Sequence, residues 1–559
     1  MTLEMNTETP AFARRSDLDA LRAGAMLLGI VLHASLSFFP SFWIVTDSRQ
    51  EPGFGIIFSA IHGFRMPLFF VMSGFFSAML LHRRGWKSLV KQRFHRVFLP
   101  LLLGMVTIVP LTVAISALAM SSAPPKSGQS SPVRDASDLW GAARAGDLGA
   151  IERHLASGLT VDAVAPEQGG TPLMWAAVTG QTDAIELLIR RGANVNAPSK
   201  DGGAALHAAA FLGHENAVEV LLRNHAKVNA RNNRGNTPLD VAILDEGTTR
   251  YFASLLQLEL NEEGLGRRKA AIAESLRQHG ATAGPMPSVA DTLMQMPLFH
   301  HLWFLWFLWW LVVGYAAVCA IGSRFSSFQL PDWLLLSPTR YFWLIPLTMI
   351  PQWYMGEYGT IPMIGPDTSI GLLPIPHVFA YYAIFFGFGA AYFGFDDRSG
   401  HAGERWWLPL TLGFVVILPL LLALTQGWTG PAGYGLTPFA RQIIIVALQA
   451  TYPWFITFGL IGLLRHVCSF ESSTMQYLSD SAYWLYLAHL PLIIGAQYFV
   501  RDWTCPAVAK FLLIVTVVTC FLLWTYQTTV RYTWLGRFLN GPRTRPERSQ
   551  SARDAVPAN

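Results

Sequence analysis

Long apolar stretches recur along this chain and decide the environment in which it can fold. A helix needs about 20 mostly apolar residues to cross a bilayer. Only 14% of the 559 residues are charged, against roughly 25% in soluble domains. We therefore predict an all-α, polytopic membrane protein of about ten transmembrane helices, near residues 18–39, 56–81, 97–119, 301–322, 341–355, 378–395, 407–425, 439–464, 482–500 and 509–530.

Basic residues are distributed unevenly among the connecting segments. Cytoplasmic loops of membrane proteins are enriched in Lys and Arg. The loop 82–96 and the tail from Arg531 hold six basic residues each, whereas the loops 356–377 and 426–438 hold none. This pattern predicts an inner-membrane protein with both termini in the cytoplasm and a basic, disordered tail over 536–559. Nothing in the sequence resembles a nucleic-acid-binding module.

A repeat interrupts the apolar pattern between the third and fourth predicted spans. One copy, GGTPLMWAAVTG, begins at Gly169 and a second, GGAALHAAAFLG, begins at Gly202. An earlier copy that matches less well begins at Leu139. A period of 33 residues with T-P-L-x-x-A-A is typical of ankyrin repeats, which stack pairs of helices. We predict an ankyrin-repeat domain over 135–283, between linkers at 121–134 and 284–299, with membrane parts over 1–120 and 300–535.

The repeats predict an interaction function and not a catalytic one. Their apolar residues are explained by helix stacking, and we interpret His207, His214 and His225 as structural. We expect the domain to bind a protein whose identity the sequence does not give. By the alternation of the predicted spans, this domain lies in the periplasm.

The first predicted span carries polar residues on one side. At about 100° per residue, Arg22 and His33 lie within about 20° of each other and roughly 16 Å apart along the axis. Asp19 and Ser37 fall on the same stripe. One interpretation is that His33 only bonds to a neighbouring helix. Ionisable groups inside a membrane usually mark a function, so we predict a site along this stripe.

Four motifs carry a family resemblance. L-D-x-L-R precedes His33, F-R-M-P-L-F-F-x-x-S-G-F begins at Phe64, R-x-x-R joins Arg93 and Arg96, and SDSAYWLYLAHLPL begins at Ser479. Together they resemble the acyltransferase type 3 family of integral membrane O-acyltransferases, nearest to the branch that succinylates periplasmic glucans. The resemblance covers about 15–120 and 295–535 and leaves out the ankyrin repeats.

The resemblance implies transfer of an acyl group, succinyl or acetyl, from a coenzyme A thioester to a hydroxyl of an envelope or periplasmic glycan. His33 would be the general base, since burial favours the neutral imidazole that a base requires. Arg22, a second catalytic candidate, would hold the donor's phosphates with Arg93 and Arg96. Further residues that we expect to line the site are Asp19, Ser37, Arg65, Ser73, Tyr486 and His489.

No permanently bound cofactor or metal is expected, because acyl-coenzyme A acts as a cosubstrate and the four scattered cysteines lack metal-ligand spacing. The expected partners are acyl-coenzyme A, the glycan acceptor, membrane lipid and the ankyrin partner. Glu357, Asp367 and His377, in or beside one outer loop, could touch an acceptor, although a solvated loop is the simpler interpretation.

Two alternatives belong to other functional classes. A transporter or channel gated by an ankyrin sensor would explain the polar stripe and the repeats together. Against it, the sequence has no filter-like segment and no obvious repeat of spans. A degenerate acyltransferase acting as a membrane scaffold is the other alternative, and the intact Arg22 and His33 argue against it.

Overall fold

The computed structural model contains helices and no strand among the residues that it describes. These are 15–39, 43–121, 138–165, 169–199, 201–233, 235–255, 260–284, 298–322, 331–356, 364–395, 400–425, 437–468 and 472–541, with the short pieces 258, 289, 293–294, 296 and 397. The all-α prediction is confirmed. Glu357 and most of the predicted linkers and tails lie outside this part of the chain.

The chain divides into two compact units, and the larger one contains the predicted membrane helices. Its α-helices are α1 (Ser16–Ser35), α2 (Gly53–Arg93) and α3 (Leu99–Ser121) before the repeats. After the repeats come α13 (Trp303–Gly322), α14 (Asp332–Leu336), α15 (Arg340–Gln352), α16 (Pro376–Gly394), α17 (Trp407–Thr411), α18 (Leu418–Thr425), α19 (Pro438–Val467), α20 (Ser473–Val500), α21 (Ala507–Thr525) and α22 (Trp534–Asn540).

Seven helical stretches in the described chain are long and apolar enough to cross a membrane: Ser16–Phe38, Gly53–Ala119, His300–Gly322, Pro376–Gly394, His401–Thr425, Phe439–Val467 and Ala507–Val530. Gly53–Ala119 holds two predicted segments and each of the others holds one, so eight of the ten are included. The other two coincide with α15, which has only 13 residues, and with α20. The exact count of ten therefore stays a prediction.

The directions of packed helices agree with an alternating order of ten segments. The Phe70 ring packs on that of Tyr382 and the Phe75 ring on that of Tyr392, with centroids 4.6 and 6.0 Å apart. Because both residue numbers rise together, α2 and α16 run parallel. By contrast, α15 and α19 run antiparallel, because Gln352 bonds to Gln449 whereas Thr348, earlier in α15, bonds to Trp454, later in α19. In the predicted order α2 and α16 are the second and sixth segments, which should run parallel. The helices α15 and α19 are the fifth and eighth, which should run antiparallel.

Two glycines let α2 and α16 approach closely. A Cβ atom on Gly74 would lie 1.9 Å from the carbonyl oxygen of Phe386, and one on Gly389 would lie 1.9 Å from that of Val71. Small residues at a helix contact are the usual means of bringing two membrane helices together. The close contact holds α2, the helix that carries Arg65, against α16.

The predicted start of the disordered tail at residue 536 is wrong. Residues 536–540 belong to α22, where Leu539 is buried. Asn540 Nδ2 also donates to the carbonyl oxygen of Asp480 at 2.8 Å. The apolar side chains of this short helix pack on the larger unit, so order extends beyond the last predicted span.

The smaller unit contains the ankyrin repeats. Its helices are α4 (Leu139–Ala145), α5 (Leu148–Ala156), α6 (Pro172–Val178), α7 (Thr182–Arg190), α8 (Ala205–Leu212), α9 (Glu215–Arg223), α10 (Pro238–Ala242), α11 (Glu246–Leu255) and α12 (Leu265–Gln278). Buried alanines, leucines and valines from these helices other than α11 form one continuous core, as stacked repeats require.

The T-P-L signature begins a helix in this unit. Thr171 Oγ1 accepts from the backbone N–H of Met174 at 3.2 Å, and Pro172 occupies the first helical turn. Where Ala204 replaces the threonine, His207 Nδ1 accepts from the Ala204 N–H instead, at 3.2 Å. His214 Nε2 donates to the Val178 carbonyl at 3.1 Å. The prediction that these two histidines are structural is confirmed.

Candidate active site

The helix α1 carries Arg22 and His33 without interruption from Ser16 to Ser35. Both side chains contact the same neighbour, α20. Arg22 bonds to Ser479 and His33 bonds to His489. Because both numbers rise together, α1 and α20 run parallel, as the first and ninth segments of an alternating bundle would. The polar stripe predicted on α1 therefore faces one particular helix.

A polar group at the first turns of α1 holds Arg22. Its Nη2 donates to the carbonyl oxygen of Ser479 at 2.9 Å and to Ser479 Oγ at 2.5 Å. Ser479 Oγ in turn donates to Asp19 Oδ1 at 2.8 Å, and Arg22 lies 3.7 Å from the same carboxylate oxygen. Two predicted site residues, Asp19 and Arg22, thus meet at Ser479.

Three turns further along α1, His33 meets His489. His33 Nδ1 lies 2.9 Å from the Gly29 carbonyl oxygen and 3.2 Å from His489 Nε2. On the other side of its ring, His489 Nδ1 lies 2.8 Å from the Tyr486 carbonyl oxygen and 3.0 Å from that of Leu485.

These contacts fix the tautomers of both neutral rings. Carbonyl oxygens only accept hydrogen bonds, so His489 Nδ1 carries its proton and His489 Nε2 presents a lone pair. His33 Nδ1, which faces that lone pair and the Gly29 carbonyl, must then be the donor. The remaining nitrogen, His33 Nε2, has the free lone pair that a general base needs.

A small cavity of about 40 Å³ opens beside the two histidines. It is lined by His33, Arg65, Met66, His301, Trp303, Tyr486 and His489. Space of this size holds at least one water-sized group. Four predicted site residues, namely His33, Arg65, Tyr486 and His489, therefore share one enclosure, whereas Asp19, Ser37 and Ser73 are outside its lining. The hydroxyl of Ser37 instead donates to the Val45 carbonyl.

The cavity also contains a residue that sequence reasoning missed. His301 Nε2 donates to the Leu487 carbonyl at 3.2 Å, and the His301 carbonyl accepts from the Tyr486 hydroxyl at 2.7 Å. The sequence showed only two adjacent histidines at the start of an aromatic span. Their position at a helix end was the available signal, but nothing in the sequence separated His301 from His300.

Gln497 is a second residue that the sequence did not mark. Its Nε2 donates to the His33 carbonyl at 3.0 Å and to the Ala34 carbonyl at 3.2 Å. Its Oε1 accepts from Trp43 Nε1 at 2.7 Å. The Trp43 ring centroid lies 6.0 Å from that of His33. This amide therefore fixes the backbone of the candidate base and the indole beside it.

Basic side chains gather at the Arg22 end of the site. Arg93 ends α2, and its Nη2 donates to Ser77 Oγ at 3.2 Å. Arg96 lies in the following π-helical turn, Phe94–Phe98. Arg93 is near enough to Arg96 and Arg22 for their charges to repel. Arg93 therefore lies near each of the other two arginines that the sequence predicted as a phosphate site.

The outer-loop candidates are not part of this cavity. Asp367 Oδ2 accepts from the backbone N–H of Gly356 at 3.0 Å. His377 lies in the first turn of α16. Neither residue lines the enclosure around His33.

Comparison with known proteins decides the family. Residues 15–141 and 276–525 match the family model described as an acyltransferase domain, which is more than half of the chain. The chain belongs to this acyltransferase family. Residues 139–232 of the acyltransferase match a model of three ankyrin repeats. The family match favours the enzyme over the transporter and scaffold alternatives.

Curated relatives match a shorter part of this acyltransferase. It is 42% identical over 94 residues to "Glucans biosynthesis protein C" of Escherichia coli K12 and of Escherichia coli O157:H7. The match covers 17% of the acyltransferase and 23% of each relative. The chain thus spans about a quarter of the length of these relatives.

Proposed function

We propose that this membrane acyltransferase moves a succinyl or acetyl group from a coenzyme A thioester to a hydroxyl of an envelope or periplasmic glycan, with His33 as the general base. The observation that carries the proposal is the contact between His33 and His489. It leaves a lone pair on Nε2 of His33, whose side chain lines the small cavity. The relatives' printed name, which refers to glucans, supports a glycan acceptor.

In this reaction His33 carries one proton from the acceptor hydroxyl to the leaving group. Nε2 takes the proton of the acceptor hydroxyl as its oxygen bonds to the thioester carbonyl carbon. When the tetrahedral intermediate collapses, the carbon–sulfur bond breaks and the leaving thiolate receives the same proton. One group thus acts first as base and then as acid, so the ring ends the cycle neutral.

The donor would lie along α1. Its phosphates would bind Arg22, Arg93 and Arg96 with charge-assisted hydrogen bonds. The eleven helical steps from Arg22 to His33 correspond to about 16 Å of helix. A long, thin pantetheine arm would bridge that separation and present the thioester at the cavity. The acceptor would approach from the opposite, periplasmic side.

The acyltransferase would reside in the inner membrane with both termini in the cytoplasm. Its ankyrin repeats would face the periplasm and bind a protein there. No cofactor would stay bound, because coenzyme A leaves after each transfer.

The first test is the release of free coenzyme A by membranes that contain the full chain. Acetyl- and succinyl-coenzyme A would be supplied with envelope glycan, and the wild type would be compared with His33→Ala. We expect glycan-dependent release that the variant loses while it still binds the donor. His466→Ala is a suitable control, because His466 is exposed at the end of α19. Wild-type release by His33→Ala would exclude His33 as the base.

A further inference from the structure

Arg65 brings a positive charge into the cavity and forms no ion pair with a carboxylate in the described part of the chain. It lies on α2 within the F-R-M-P segment and lines the enclosure with His33 and His489. Its Nε is buried and has no hydrogen-bond partner among the described residues. In the same part of the chain, no carboxylate forms an ion pair with it.

A glycine makes room for this guanidinium. A Cβ atom on Gly29 would lie 2.2 Å from Arg65 Nη1, so only a residue without a side chain leaves the group in place. The Gly29 carbonyl oxygen is also the oxygen 2.9 Å from His33 Nδ1. Arg65 and the candidate base therefore meet at the same turn of α1.

That Arg65 has no anionic partner among the described residues is informative, because burying an unpaired charge is strongly unfavourable. Ionisable residues within membrane segments are ordinarily paired or functional. A guanidinium that contacts a reaction cavity and lacks a resident anion is suited to an anion that exists only when substrate is bound. Thioester acyl transfer creates such an anion, because negative charge develops on the carbonyl oxygen as the carbon becomes tetrahedral.

We propose that Arg65 is a second catalytic residue that stabilises this oxyanion, an inference that rests on the proposed acyl transfer. As the acceptor oxygen bonds to the carbonyl carbon and its proton moves to His33 Nε2, the carbonyl π electrons move to oxygen. The guanidinium donates hydrogen bonds to that oxygen. The carbonyl re-forms as the carbon–sulfur bond breaks, and the thiolate takes the proton from His33. Arg65 itself gains and loses no proton.

The same guanidinium chemistry would also bind a carboxylate at the far end of a dicarboxylic acyl group. The two roles differ in their dependence on the donor. An oxyanion forms with every acyl group, so loss of Arg65 should slow acetyl and succinyl transfer alike. A carboxylate partner exists only on the succinyl donor, so its loss would affect that donor alone and chiefly raise its KM.

The test uses the purified full chain with Arg65→Met and Arg65→Lys. We expect Arg65→Met to lower kcat by about 10²–10³ for both donors, the range for losing one oxyanion donor. The donor Kd should stay within about threefold, because the oxyanion is absent from the ground state. Arg65→Lys should recover part of the rate, since it restores a cation but not the fork of donors. Arg405→Met, at an exposed position, controls for the loss of a positive charge.

A second pair of variants tests the same role of Arg65 without replacing the arginine, so a folding defect in Arg65→Met would not decide the result. Gly29→Ala keeps every polar group and favours the helix, yet its methyl group would displace the guanidinium. The matched control is Gly24→Ala on the same helix, where a Cβ atom meets nothing within 4 Å. We expect Gly29→Ala to lower kcat and Gly24→Ala to leave it unchanged.

The outcomes separate the two proposals. Full turnover in Arg65→Met and Gly29→Ala, with His33→Ala inactive, would overturn the role of Arg65 and leave the base in place. Loss restricted to the succinyl donor would also overturn the oxyanion role. Full turnover in His33→Ala would overturn the proposed function itself.

Discussion

His489 Nε2 lies 3.2 Å from His33 Nδ1, and the centroids of the two rings are 5.0 Å apart. Because His489 Nδ1 faces two carbonyl oxygens, the pair can be neutral in only one arrangement of protons. His489 is then a positioning residue. It selects the tautomer of His33 that leaves Nε2 available.

We predict that His489→Leu lowers kcat by about 10–100-fold, the equivalent of losing one hydrogen bond that orients the base. His489→Gln should retain more activity, because its side-chain oxygen can still accept from His33 Nδ1. The donor Kd should not change in either variant. Steady-state coenzyme A release and donor binding on the same preparations check this prediction, and equal rates for Leu and Gln would argue against a tautomer effect.

Arg22→Ala should chiefly weaken donor binding. Removing a charge-assisted bond to a phosphate costs about 1.5–3 kcal/mol, or roughly a 10–100-fold rise in Kd. Ser479→Ala should have a smaller effect in the same direction. It removes the Oγ that accepts from the Arg22 guanidinium but keeps the carbonyl oxygen that also accepts from it. Equilibrium binding of coenzyme A to the purified chain measures both effects. An unchanged Kd in Arg22→Ala would remove Arg22 from the donor site.

The stability of the ankyrin unit should depend on pH through Lys269. Burial lowers the pKa of Lys269 to about 8, and its Nζ donates to Thr249 Oγ1 and to the carbonyls of Phe211 and Val241. Between about pH 8 and the unfolded value near 10.4, the unfolded chain holds the proton that the folded chain has lost. The free energy of unfolding should therefore rise with pH through this window.

Hydrogen exchange of the α8 and α9 amides in the full chain, corrected for the intrinsic effect of pH, measures that free energy. Lys269→Met should abolish the rise, whereas Lys227→Met, at an exposed position, should preserve it. A rise of the same size in Lys269→Met would assign it to another group.

The alternating topology predicts that the ankyrin repeats are outside the cytoplasmic membrane. In a chain without native cysteines, Ser157→Cys on the exposed surface of the repeats should react with an impermeant maleimide in intact spheroplasts. Lys87→Cys, at an exposed position in the basic last part of α2, should react only after lysis. Labelling of Ser157→Cys only after lysis would overturn the periplasmic placement of the repeats.

Local patterns in the sequence were sufficient for much of this architecture. The stripe on α1 follows from helical periodicity, so the sequence alone predicts Arg22 and His33 on one side of the helix without reference to a neighbour. The ankyrin helices follow from a 33-residue period and from the capping by Thr171 and Thr237. The crossing count was harder, because α15 is short and two prolines lie inside it.

Contacts between distant segments were not predictable in the same way. Lys510 Nζ donates to Asp47 Oδ1 at 2.9 Å, and both residues are buried. Neither position is marked by spacing or composition. Gln497 and His301 were missed for the same reason, since a polar residue near the end of an apolar helix acquires its role only from the helix packed against it. The sequence predicts the helix to which a residue belongs, whereas the residue that it contacts on another helix is known only from the fold.

The parallel contact between α1 and α20 has a consequence for biosynthesis. His33 and His489 are separated by 456 positions, which a ribosome covers in roughly 20–90 s at about 5–20 residues per second. During that interval the candidate base is already made, but the ring that sets its tautomer does not yet exist. We therefore expect a nascent or prematurely terminated chain to consume thioester far more slowly than the full chain, which gains its full rate only when α20 has been made.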